Sequence, residues 1–146
     1  MHKLPERDRY RNRTKRQRVL IPIACAADGR SLRVGVLNVR SLGNKAATVS
    51  DMIVYNLFDL FAVVESWHDS AKSPSVIAST PPGYRVFERS RTRTKAMSLA
   101  TNHGGVCVFV RHGIQFSVID TPLSKTFESL LLSVRDGVQS FAFVVL

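Results

Sequence analysis

Two residues carry the most direct chemistry, Asn38 and Glu65. In residues 32–38, Leu32, Val34 and Val36 fall on one face of an alternating strand pattern, with Asn38 next in that row. Residues 59–65 form a near-continuous apolar run closed by Glu65, the pattern of a strand covered on both faces. An amide and a carboxylate meeting at one sheet edge make an oxygen-rich site for a hard cation and a phosphate. Magnesium takes such ligands and keeps waters and substrate phosphate in its shell. Both residues also have plainer uses. A carboxylate closing a strand can be a solvated end, and an asparagine there can be a turn residue.

The charge points to a partner. Lys and Arg number 21 against 11 Asp and Glu, a net charge of +10, which favours a polyanion such as nucleic acid or an acidic membrane surface. Residues 1–18 hold eight of the basic residues against Glu6 and Asp8. This arm reads as a phosphate-tracking or nuclear-import segment, or as a solvated tail. A second cluster, Arg85, Arg89, Arg91, Arg93 and Lys95, runs into residues 90–102, which lack any apolar period and read as a mobile loop. Arg89, Arg91 and Arg93 are candidates for sequence-independent contact with a phosphate backbone, or for a solvated loop.

Other chemistry is sparse. His68, His103 and His112 read as solvated loop or turn residues with no nucleophile beside them. Cys107 alternates with apolar neighbours and belongs in the core, and with Cys25 it makes no disulfide framework, so a reduced intracellular chain with no disulfide partner is expected. Trp67 is a packing wedge over a strand end or a stacking platform. Residues 19–27 imitate a secretion signal after a basic segment, but Pro22 and the length of that segment argue against it. No apolar stretch reaches the ~18 residues of a membrane span. Walker A, dinucleotide, zinc-cysteine, nucleophile-elbow and HExxH motifs are all missing.

The elements that must position Asn38 and Glu65 follow from pattern. A chain of 146 residues, 45% hydrophobic and 22% charged, is one domain able to bury a core without staples. Gly43-Asn44 punctuates the chain, Asn44 is a fair N-cap, and a helix to about Asn56 presents Val49, Met52, Ile53 and Leu57. Strand, helix and strand read as a βαβ unit with parallel strands, which puts Asn38 and Glu65 at the same carboxyl edge, where ligands bind, if the two strands neighbour one another. The second half reads as a meander. Residues 84–88 form a strand after Pro81-Pro82-Gly83, and 106–110 and 114–119 pair as a hairpin around Arg111-His112-Gly113. Residues 127–134 and 141–146 pair across Asp136-Gly137.

Several pieces resemble a known family in the right order. They are Leu37-Asn38-Val39-Arg40-Ser41-Leu42 with Lys45, residues 60–64 leading into Glu65-Ser66-Trp67-His68, Gly104-Gly105-Val106 opening a strand, and Phe127-Glu128-Ser129-Leu130. Residues 31–146 resemble the amino-terminal half of the endonuclease/exonuclease/phosphatase superfamily, most of all the apurinic-type endonuclease domain of non-LTR retrotransposons. The resemblance implies an α/β fold, part of a two-sheet sandwich, over residues 31–146, while composition makes residues 1–30 a basic, largely disordered arm with a short apolar segment. It implies phosphodiester hydrolysis with Mg2+ or Mn2+, DNA as substrate, no membrane, and a nuclear location. Glu65 would ligate the metal, Asn38 would hold the metal or the scissile phosphate, and Arg40 would orient its loop or meet the DNA backbone. Glu128 matches a family position and reads as structural.

The departures shape the expectation. His103 stands where the family carries a third glycine. The family's later Tyr, Asp-x-Asn and Ser-Asp-His elements have no counterpart in the 146 residues. A truncated domain with a metal ligand and no group to activate water is therefore expected, with little turnover on its own. The alternatives are a basic nucleic-acid-binding remnant without catalysis, and a phosphatase of the same superfamily.

Overall fold

In the computed structural model, the described residues are 19–24, 31–92, 103–122, 124, 126–136 and 139–146. Ten elements follow in chain order: β1 (Val19–Ala24), β2 (Ser31–Asn38), α1 (Ala46–Tyr55), β3 (Leu60–Val64), α2 (Pro74–Ser79), β4 (Tyr84–Arg89), β5 (Val106–Arg111), β6 (Gln115–Ile119), β7 (Leu130–Asp136) and β8 (Gln139–Val145). They make a five-stranded sheet of order β1-β2-β3-β5-β4 and a three-stranded sheet of order β6-β7-β8. The apolar segment after the basic arm pairs its backbone antiparallel with β2, Val19 opposite Val36.

The expected βαβ unit is present. β2 and β3 are parallel neighbours, with Asn38 opposite Val64. β3 is apolar throughout because it is covered twice. Leu60 and Ala62 face a core shared with Val108, Leu130, Leu132 and Val134 under the smaller sheet. Phe61 and Val63 face the opposite way, into a core shared with Val49, Ile53, Val76 and Phe109 under the helices. Gly35 is required by that second layer, since a Cβ there would sit 2.7 Å from the Phe61 ring and 2.8 Å from Phe58.

Several local expectations need correction. Lys45, not Asn44, occupies the N-cap position of α1, and no side chain caps it. Lys45 instead donates from Nζ to the Val39 and Arg40 carbonyls at 2.6 and 2.9 Å, so local turn geometry outweighs the capping preference of asparagine. Leu57 lies past the helix with φ 53° and is exposed, while Phe58 takes the buried place. The expected hairpin around Arg111-His112-Gly113 does not form. β5 pairs with β3 and β4, β6 pairs with β7, and the turn carries the chain from one sheet to the other. Burial decides this: β5 is covered on both faces as an interior strand, whereas β6 is largely exposed. The β7–β8 pairing across the Asp136 turn is as expected, although β7 begins at Leu130 rather than at residue 127. The short helix α2 has no strong period in the sequence and begins with Pro74 in its first turn.

Candidate functional site

Asn38 ends β2 and Glu65 follows β3, and their side chains meet: Asn38 Nδ2 donates to Glu65 Oε1 at 2.7 Å. The ladder between the strands continues into the loops beyond them. Val39, Ser41 and Leu42 donate their N–H groups to the carbonyls of Val64, Glu65 and Ser66 at 3.1, 2.7 and 3.0 Å. Five non-glycine residues among the described ones have positive φ, and four of them lie here: Arg40, Ser41, Glu65 and Trp67. Backbone in that region costs about 1–3 kcal/mol per residue and persists where the surroundings over-determine it. The Arg40 N–H donates to Asn38 Oδ1 at 3.2 Å, so Arg40 orients the loop through its backbone while its side chain is exposed.

Behind Glu65 lies a buried polar chain. Ser66 Oγ is 2.7 Å from His68 Nδ1, and His68 Nε2 is 2.6 Å from Glu88 Oε2. Glu88 Oε1 accepts the Ala71 N–H at 3.1 Å. His68 is 2% exposed, which corrects the expectation of a solvated loop histidine. Two partners on both ring nitrogens repay its burial. Ser66 is fully buried as well, so the Ser66–His68–Glu88 series resembles a nucleophile triad in order only and serves to hold the turn. Cys107 lies in the core beside it, its thiol pushed up to about 12 by burial, with the Ser66 hydrogen bond opposing and the Glu88 charge adding. The Trp67 ring meets His103 edge-on at 4.4 Å between centroids, and its buried Nε1 finds no partner among the described residues. His103 and His112 are exposed, as expected for loop histidines.

Arg89 and Arg91 of the second basic cluster are engaged within the fold. Arg89 Nη1 reaches Thr121 Oγ1 at 3.3 Å and the Thr121 carbonyl at 3.5 Å. Arg91 Nε donates to Glu128 Oε1 at 2.7 Å and Nη2 to the Thr126 carbonyl at 3.4 Å. Both arginines bridge the two sheets. Arg93 lies outside the described residues, as do residues 1–18, 94–102 and Cys25. Sequence reasoning missed the roles of His68 and Glu88, since nothing local marks a pair 20 residues apart. For Lys45 a signal existed: a long cation a few residues after a strand end reaches exposed carbonyls.

Glu128 has a titration consequence. Burial raises its pKa, but the Gly105 N–H, the Arg91 hydrogen bond and the Arg91 charge outweigh that and leave it below its ordinary 4.5. A depressed carboxyl contributes stability that is present above the unfolded value and lost as pH falls through the folded one. Urea midpoints measured from about pH 6 down to about pH 3 should therefore fall more steeply for the wild type than for Glu128→Gln. Parallel curves would show that the carboxylate is not linked to folding.

The donor set fits one kind of cation. Asn38 occupies Oε1 of Glu65, and Oε2 has no protein partner among the described residues. No group of three His, Cys, Asp or Glu gathers among those residues. One carboxylate oxygen beside an amide suits Mg2+ or Mn2+, which keep waters and substrate phosphate, rather than a cation caged by protein. No helix among the described residues is long and apolar enough to cross a membrane.

No family model and no curated protein matches the sequence. Solved structures do match its backbone. An endonuclease/exonuclease/phosphatase family protein from Bacteroides thetaiotaomicron is similar at a TM-score of 0.53 and 19% identity, over 79% of this chain and 48% of that one. A mannosyl-6-phosphatase of the same organism is similar at 0.52 and 19%, over 78% and 50%. The human nocturnin catalytic domain, with bound sulfate, is similar at 0.52 and 12%, over 88% and 52%. The chain thus spans about half the length of these structures. What it shares with them is their architecture: the chain has the two-sheet α/β fold of the endonuclease/exonuclease/phosphatase proteins.

Proposed function

We propose that the chain is the amino-terminal half of a divalent-metal-dependent phosphodiesterase, a DNA endonuclease domain of non-LTR retrotransposon origin acting in the nucleus. The observation that carries this reading is the Asn38–Glu65 contact at the carboxyl edge of two parallel strands, held by loops of strained backbone. In this reading Glu65 would hold Mg2+ or Mn2+ with its second carboxylate oxygen, and the bound ion would supply polarisation of the phosphate and charge stabilisation at the leaving oxygen. Asn38 fixes the carboxylate through Oε1, and Arg40 meets the phosphate backbone from the same loop. With Arg89 and Arg91 engaged between the sheets, nonspecific affinity falls to Arg40, Arg93 and the basic arm. Among the described residues no group of three His, Cys, Asp or Glu gathers, and in this reading the chain alone binds DNA and turns over little.

The test is plasmid nicking and DNA binding with the purified chain in Mg2+. Binding should survive Glu65→Ala and weaken steeply with salt, because it rests on released counterions. Nicking should be at or near background. Robust Mg2+-dependent nicking that Glu65→Ala abolishes would place a complete active site in this chain. Hydrolysis of a sugar phosphate without DNA affinity would favour a phosphatase. DNA binding by a chain whose Mn2+ affinity is the same with and without Glu65 would leave a basic binding remnant.

A further inference from the structure

Glu128 stands outside the Asn38–Glu65 pair, on the segment entering β7 of the smaller sheet, yet it is wired to the Glu65 turn. Its Oε2 accepts the Gly105 N–H at 2.9 Å and its Oε1 accepts Arg91 Nε at 2.7 Å. The carbonyls of Gly105 and Gly104 in turn accept the N–H groups of Ser66 and Trp67, at 3.1 and 2.9 Å. Those are the two residues directly after Glu65, one of them at positive φ. A single carboxylate of the second sheet therefore fixes the two-glycine segment on which the Glu65 turn is laid. The approach is close: a Cβ on Gly104 would fall 2.5 Å from Glu128 Oε2 and 2.6 Å from Arg91 Nε.

We infer that Glu128 is a positioning residue for Glu65, transmitting the packing of the smaller sheet to the metal-binding edge through Gly104 and Gly105. A carboxylate is required because each oxygen serves a different donor. The side chain is 13% exposed, so water is a poor substitute for either contact. Glutamine would keep one accepting oxygen and present an amide donor to the other partner. Alanine would remove both acceptors and leave the Gly105 N–H without its acceptor, a loss that the surrounding backbone must absorb. The inference rests on the reading of Glu65 as a metal ligand for its consequence, and on the hydrogen bonds alone for its geometry.

The experiment uses the full chain labelled with 15N, as wild type, Glu128→Gln and Glu128→Ala. The Asn38 side-chain amide reports the Glu65 carboxylate directly, and the Ser66, Trp67 and Gly105 amides report the brace. In Glu128→Ala, exchange at those three amides should quicken at least about tenfold while Asp59 and Arg111, at the far edge, keep their protection. The Asn38 amide signals should move toward solvent-exposed values. Glu128→Gln should fall between the two and serves alone if the alanine variant does not fold. Mn2+ affinity should drop by about 10–100-fold in Glu128→Ala, as for residues that orient a ligand. Unchanged Asn38 signals, or exchange that quickens equally at Asp59 and Arg111, would overturn the inference. Equal Mn2+ affinity of wild type and Glu65→Ala would instead end the metal-site reading, with the amide signals still deciding the brace.

Discussion

On the proposed metal-binding reading, replacing Glu65 by alanine is expected to abolish divalent-metal binding at the carboxyl edge of β2 and β3, while leaving the fold in place. Among the described residues Glu65 is the carboxylate that accepts from Asn38, and no group of three His, Cys, Asp or Glu gathers there. Losing a side chain that merely orients a ligand typically costs 10–100-fold in affinity, so removing the ligand itself should cost about 100-fold or more. Water-proton relaxation with Mn2+ reads this without any turnover. Glu65 is partly exposed and makes its side-chain bond to an exposed Asn38, so the urea midpoint should change little. Glu65→Gln is the sharper control, since it keeps the shape and removes the charge. Asn38→Ala should weaken Mn2+ less than either change at Glu65, because it frees Oε1 without removing it. Equal Mn2+ affinity in wild type and both Glu65 variants would sink the metal assignment.

The largest expected loss of stability follows from one added methyl group, in Gly105→Ala. Gly105 has φ +94°, and a Cβ there would meet Ser66 Oγ at 2.8 Å and His68 Nδ1 at 3.1 Å. Neither neighbour can step aside. Ser66 is fully buried, and His68 is held by Ser66 and Glu88 on its two ring nitrogens. Strained backbone costs about 1–3 kcal/mol and overpacking about 1–3 kcal/mol, so a loss of roughly 2–6 kcal/mol is expected. That is a large share of the ~5–15 kcal/mol that holds a typical domain. Gly113→Ala is the control, because it also has positive φ (+91°) but has nothing within 4 Å of its Cβ. Its loss should be confined to the backbone term. Urea unfolding of the two variants separates the terms. Equal losses would mean that the Ser66–His68 pair yields to the new methyl.

The two positions show how the site is built. Glu65 acts through what its side chain offers, so its type and its place at a strand end announce it. Gly105 acts through what it lacks, which lets the buried Ser66–His68–Glu88 series lie against the backbone. The two-glycine motif was visible in the sequence, but its neighbours were not. Burial is what converts His68 from a solvated loop residue into part of a support, and burial depends on β4 and β5 bringing Glu88 and Cys107 beside it. The same holds for Arg89 and Arg91. As a run of cations they read as a phosphate-binding loop, and only the approach of the second sheet engages them with Thr121 and Glu128.

By itself, the sequence determined the parallel β2–α1–β3 unit and the double coverage of β3, and it put Asn38 and Glu65 at one sheet edge on condition that the two strands are neighbours. Each of these is set by a short-range period: alternation along a strand, helical spacing, and a connection that must return the second strand parallel to the first. The strand ends then coincide because the parallel register sets Asn38 opposite Val64. The tertiary structure alone decided that β5 and β6 part into separate sheets rather than close a hairpin. A short glycine turn permits either course, and the choice rests on which strand can be buried on both faces. It also decided the His68–Glu88, Arg91–Glu128 and Gly105–Glu128 contacts, whose members lie 20 to 37 residues apart in the chain. No local period encodes such separations. They are fixed when the two sheets close over the Leu132 and Val108 core, which excludes water and leaves each buried polar group to find its partner on whatever strand arrives beside it.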